Sequence, residues 1–189
     1  MAAALLLTAC GGHSSSHMTA ADVSEPIPVQ QLAPITITAY TTRELLAQLE
    51  RARALLIEGA YDEAAKALDR LMRLADDPQI VALATHDAGT AYEGLGQRDV
   101  AIERYRDLVT RYPSAPIAKN ALVRLTRIYG HLERWKLLEQ NAELLLEREG
   151  LPVMDRIEGL GAMALALVEQ SHIDRARIFV AKAQELIEH

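Results

Sequence analysis

GTAYEGLGQRDVAIERYRDLVTRYP, residues Gly89 to Pro113, decides the fold of this chain. Read as two short helices, it places Gly89, Ala91, Tyr92 and Leu95 on one face of the first. Ala101, Ile102, Tyr105 and Leu108 then line the facing side of the second. Between them stand Gly96 and the polar run Gln97-Arg98-Asp99. A tight helix–helix turn needs a residue without a Cβ penalty there, followed by an acid in the next first turn.

One helical hairpin cannot bury its own apolar face, so the chain must repeat it. It does. The position of Tyr92 recurs as Leu55, Tyr129 and Leu167, and positions 55, 92, 129 and 167 are spaced 37, 37 and 38 apart. The turn position of Gly96 recurs as Gly59, Glu133 and Ser171, and that of Ala101 as Ala64, Leu138 and Ala176. Tyr105 corresponds to Leu68, Ala142 and Val180. Four columns with one period give four repeats, at about 45–78, 82–115, 119–152 and 157–189. The linkers Ala75–Pro78, Tyr112–Pro116 and Glu149–Val153 each hold proline, which stops one helix and can open the next.

The skeleton G-x-A-Y…G…A-I-x-x-Y…P at Gly89, Ala91, Tyr92, Gly96, Ala101, Ile102, Tyr105 and Pro113 resembles the tetratricopeptide repeat. The resemblance implies an all-α, right-handed solenoid of four helical hairpins, about eight helices, over residues 42–189. The Tyr112-Pro113-Ser114 tail with Ala118 and Ala121-Leu122 is similar to periplasmic members of outer-membrane assembly and cell-division systems.

Composition agrees with closely packed helices. Half of the 189 residues are apolar, only 4% are aromatic, and alanine and leucine supply the packing. A net charge of −6 argues against non-specific binding to nucleic acid, which needs clustered Lys and Arg. No apolar run reaches the 18 or so residues of a membrane-spanning helix. A single cysteine, Cys10, excludes an internal disulfide framework.

That cysteine closes Leu7-Thr8-Ala9-Cys10, which resembles the lipobox of bacterial lipoproteins. The resemblance implies lipidation at Cys10 and anchoring to a membrane, with residues 1–10 acting as signal segment. The positively charged stretch that normally opens a signal peptide is missing, which points to a start codon further upstream. Glycine rather than aspartate at position 11 favours the outer membrane and its periplasmic face. The competing reading starts at Met18 and leaves the protein cytosolic. Residues 11–41, rich in Ser, Thr, Pro and small side chains, read as a flexible tether. His13 and His17 within it could bind metal, but an accident of a polar linker explains them as well.

The first helix is expected to begin near Thr42 with the Thr42 hydroxyl as cap, and to turn Leu45, Leu46, Leu49, Ala52, Leu55 and Leu56 inward. Tyr92, Tyr105, Tyr129 and Trp135 read as core. The last helix, from Ile173, interleaves apolar and charged side chains. It either caps the array by itself, the preferred reading, or leaves Ile178 and Phe179 for a partner or a second copy.

Chemistry is sparse. There is no G-x-x-x-x-G-K-[ST] loop, no G-x-S-x-G elbow and no H-E-x-x-H pair. Acids sit near bases, as Glu63 with Lys66 and Asp69 with Arg73, which reads as solvated helix surface. The expectation is therefore a protein without enzyme activity or cofactor, acting as an interaction scaffold. The family resemblance implies a concave groove lined by the first helix of each repeat, holding an extended peptide or helix of another protein. Carried onto this chain, the groove residues are Arg53, Leu56, His86, Thr90, Glu93, Asn120, Val123, Arg127, His131, Glu158, Leu165 and Glu169.

Overall fold

The computed structural model describes residues 40–188. Cys10, the two tether histidines and the tether up to residue 39 lie outside the described residues, as does His189. Eight α-helices follow one another: α1 (Thr42–Ile57), α2 (Tyr61–Leu74), α3 (Pro78–Gly94), α4 (Arg98–Arg111), α5 (Ala118–His131), α6 (Trp135–Leu146), α7 (Val153–Glu169) and α8 (Ile173–Glu188). No strand occurs among the described residues. The four expected hairpins are α1–α2, α3–α4, α5–α6 and α7–α8.

The turns show why the repeat holds even where its signature residue changes. Gly59, Gly96, Glu133 and Ser171 all adopt a left-handed backbone, with φ of 77, 73, 53 and 63°. In each turn the amide of the residue after this position reaches back to the Tyr92 column. Gln97 N–H donates to Tyr92 O at 2.9 Å, Arg134 to Tyr129 O at 2.9 Å, Ala60 to Leu55 O at 2.9 Å and His172 to Leu167 O at 2.7 Å. Two otherwise orphaned carbonyls per helix end are thus satisfied in every hairpin. The motif survives because the hydrogen bonds are backbone bonds, indifferent to the side chain.

Helix starts are more individual. Thr41, not Thr42, caps α1: its hydroxyl accepts the Glu44 amide at 3.3 Å, and Glu44 Oε2 accepts the Thr41 amide at 2.8 Å. This reciprocal pair needs a three-residue offset, which Thr42 does not have to Glu44. Asp77 caps α3, accepting from Gln79 N at 2.8 Å, with Pro78 in the first turn.

Each second helix packs between its own first helix and the next one. The Ala64, Ala101, Leu138 and Ala176 column is buried in all four repeats. Close approach is set by missing Cβ atoms: one added at Gly89 would meet the Tyr105 ring at 2.5 Å, and one at Gly94 the Tyr61 ring at 2.5 Å. First helices approach their successors backbone to backbone (α1 with α3, α3 with α5, α5 with α7), whereas second helices meet only through long side chains, as Arg104 with Asp69 and Arg175 with Glu139. The array therefore curves with α1, α3, α5 and α7 on its inner side.

Two further expectations change. Leu46 is exposed rather than core. Self-capping is not what α8 does: only Ala176 is buried in it, while Ile173, Ile178, Val180 and Ile187 are exposed and Phe179 is half-buried against Ala142, Met163, Leu167 and Ala176. In the earlier repeats the Val180 column is buried, at Leu68, Tyr105 and Ala142, between its own first helix and the next one, and no described helix follows α8.

Candidate functional site

The inner face divides at its middle. Over α1 and α3 the polar groove residues are tied together through Asp87 and Tyr105. Arg53 Nε donates to Asp87 Oδ2 at 2.7 Å and its Nη1 to Glu50 Oε1 at 3.1 Å. The other Asp87 oxygen lies 2.9 Å from His86 Nδ1. A carboxylate can only accept, so His86 carries its proton on Nδ1. Burial pushes the Asp87 carboxyl up, but the hydrogen bonds from His86 and Arg53 outweigh it, and its pKa lies below the ordinary carboxylate value.

The network continues through α4. Thr90 Oγ1 lies 3.2 Å from the Tyr105 hydroxyl, which donates to Glu93 Oε1 at 2.5 Å. Burial, then the Glu93 carboxylate, push the Tyr105 hydroxyl far up, so it stays a neutral donor. The other Glu93 oxygen faces Arg124 Nη1 at 3.8 Å. The His86 ring tilts against Tyr105 at 5.7 Å between centroids, with its Nε2 buried and unpartnered. Leu56 packs on the core of the first two repeats. Repeats one and two are braced across their inner face.

Over α5 and α7 the arrangement is open. Arg127 places Nε and Nη2 on the two Glu158 oxygens, both at 2.6 Å, a fork-on-fork pair linking repeats three and four. Beside it runs a cleft lined by Arg127, Gly130, His131, Glu158, Gly161 and Leu165, with Thr126, Leu138 and Ala162 completing its walls. A Cβ built on Gly161 would meet nothing within 4 Å, and Leu165 is 44% exposed. Four of the expected residues thus share one recess: Arg127, His131, Glu158 and Leu165. Asn120 and Glu169 are exposed but line no part of it. Val123 is a correction. It is 7% exposed and packs with Leu122, Leu145 and Leu151, because its helix turns that position toward the α5–α6 interior.

Some side chains escaped the sequence reading. Asp87 sits in an alanine-rich stretch with no marker of its role, since its partner Arg53 is a whole repeat away. Gly130 and Gly161 matter for the space they leave. Asp69 pairs not with Arg73 but with the Tyr92 hydroxyl at 2.7 Å and Arg104 Nη2 at 3.0 Å. Lys66 likewise pairs with Asp62 rather than Glu63. Asn141, buried, bridges Leu122 O at 2.8 Å and Thr126 Oγ1 at 2.7 Å. No group of three or more His, Cys, Asp or Glu side chains converges among the described residues.

No family model and no curated protein matches the sequence. Solved structures do match in shape. MamA superposes with a TM-score of 0.64 at 18% identity, covering 76% of this chain and 78% of MamA. A Podosopora anserina kinesin-light-chain-type protein with nearly identical TPR-like repeats gives a TM-score of 0.60 at 18% identity, over 80% of this chain and 78% of the other. Likeness at this identity speaks to architecture, and it agrees with the repeat columns and the eight-helix order: the chain is an all-α solenoid with the tetratricopeptide-repeat fold.

Proposed function

We propose that this array is a non-catalytic interaction scaffold that receives a segment of another protein at the α5–α7 cleft. The observation that carries the proposal is the open space over Gly161, bounded by exposed Leu165 and the Arg127–Glu158 pair on a rigid helical frame. An apolar anchor of an extended peptide or helix fits the cleft, and the charged pair at its rim offers a donor and an acceptor to the flanking backbone. Leu165→Asp should abolish capture of the partner from detergent-solubilised membranes while leaving the thermal unfolding midpoint within a few degrees. Arg127→Glu, which sets two acids face to face, should do the same. Unchanged capture by both variants would refute the cleft as the docking place.

The finer reading is a lipid-anchored subunit of a bacterial envelope assembly, held by Cys10 at the periplasmic face of the outer membrane. It rests on the lipobox-like Leu7–Cys10, on glycine at position 11 and on the Tyr112-Pro113-Ser114 tail. Labelling with palmitate, wild type against Cys10→Ala, tests it, and an unlabelled wild type leaves the cytosolic regulator in its place. A second reading, self-association through α8, has its own observation: Ile173, Val180 and Ile187 are exposed at seven-residue spacing along one side of that helix. Sedimentation at rising concentration reads it directly.

A further inference from the structure

The repeat columns expose a feature at the opposite end of the array. The side of a first helix that meets the preceding hairpin carries Ala88, Leu125 and Met163 in one column, all buried. In α1 the same column holds Arg51, exposed, and the column of buried Ile80 holds exposed Arg43. Both line a shallow recess with Tyr40, Ala47, Gln48 and, from α2, Arg70.

An array end needs only polar side chains to stay soluble, and mixed charges serve that purpose. This recess sets three arginines against one acid, in a chain of net charge −6. No carboxylate of the described residues lies within 4.0 Å of Arg43, Arg51 or Arg70. The one acid lining the recess, Glu44, is held at the helix cap, its Oε2 accepting Thr41 N at 2.8 Å and Thr41 Oγ1 at 2.9 Å. Among the described residues no carboxylate pairs with these three guanidinium groups, which leaves their forks facing anions.

We propose that this arginine face lies on an anionic phospholipid surface. Arginine forks match phosphate oxygens, and clustered basic residues near a negative leaflet add attraction that falls off within a Debye length. Tyr40, 42% exposed at the edge of the recess, is the side-chain type that settles at headgroup depth, which favours a membrane over an acidic protein segment. The inference deepens the anchored-scaffold reading by naming which end of the array meets the bilayer. It makes no use of the lipid itself, so the two can fail separately.

The test uses the full-length chain with Cys10→Ala, removing any acyl contribution. Cosedimentation with phosphatidylglycerol–phosphatidylcholine vesicles at about 0.1 M salt should show binding that weakens as salt rises. Pure phosphatidylcholine vesicles should not bind. Changing Arg43, Arg51 and Arg70 together to Glu should lower the partition coefficient by on the order of a hundredfold. The control changes Arg98, Arg106 and Lys136 to Glu, three exposed bases outside the recess, and reaches the same net charge with a far smaller loss. Absent binding to anionic vesicles, or equal losses in the two triple variants, would overturn the proposal. So would an acidic peptide that is bound where vesicles are not, since the partner would then be a protein.

Discussion

Repeats one and two differ from repeats three and four far more than their shared backbone suggests. In the first half the inner face is cross-braced by Arg53, Asp87, His86, Thr90, Tyr105 and Glu93, and among the described residues the large apolar side chains exposed before residue 135 are Tyr40, Leu46 and Ile57. In the second half two glycines keep a cleft open, and Leu137, Leu144, Val153, Met154, Leu165, Val168, Ile173, Ile178, Val180 and Ile187 are exposed. One supersecondary unit is cross-braced on its inner face in two copies and left open there in the other two. The difference teaches that function in such an array resides in which columns are left unsatisfied.

The sharpest way to break this comparison is one column tested in both halves. Tyr105 is fully buried against Gly89, whereas its counterpart Val180 is 45% exposed. Tyr105→Ala should cost about 4 kcal/mol and Val180→Ala less than about 0.5 kcal/mol in chemical denaturation. Similar costs would mean that α8 is covered in solution, and would favour the self-associated form.

Next in size are the two inner-face ion pairs. Asp87→Asn should cost about 2 kcal/mol, less than the about 3–5 kcal/mol of a fully buried pair because Arg53 keeps a third of its side chain in water. Glu158→Gln, whose partner Arg127 is more than half exposed, should cost about 0.5 kcal/mol. The Asp87 contribution also depends on pH. A carboxylate whose folded pKa is depressed stabilises the fold above its unfolded pKa and loses that contribution as pH falls through the folded value. The wild-type advantage over Asp87→Asn should therefore be complete at neutral pH and should shrink below about pH 4. An advantage that persists unchanged at lower pH would show that shape, not charge, holds the α1–α3 contact.

The hairpins were legible in the sequence because columns 55, 92, 129 and 167, with the turn column four residues on, repeat an arrangement fixed by local backbone geometry. Four of the groove residues fall in one cleft for the same reason: the family pattern assigns a helix face, and a helix face is a local property. What stayed hidden needed distances between repeats. Nothing at Asp87 announces Arg53, thirty-four positions earlier, as its partner. Val123 looked available because it shares a helix face with Asn120 and Arg127, yet Leu145 and Leu151 come from elsewhere to bury it. The failure of α8 to cap itself is likewise a matter of what packs beside it.

The smallest effect tests whether the two halves share one turn. Gly96, at φ 73°, occupies a region where any Cβ crowds the following carbonyl, so Gly96→Ala should destabilise by about 1 kcal/mol. Ser171 already bears that strain at φ 63°. Ser171→Gly relieves it but gives the unfolded chain more freedom, an opposing term of about 0.5–1 kcal/mol. The net gain should be a few tenths of a kcal/mol, about a degree in the unfolding midpoint of a domain this size. A loss on Ser171→Gly would mean that the serine hydroxyl contributes to the turn beyond the backbone bonds from Ser171 N to Val168 O and from His172 N to Leu167 O. The fourth hairpin would then close by side-chain chemistry where the second closes by glycine alone.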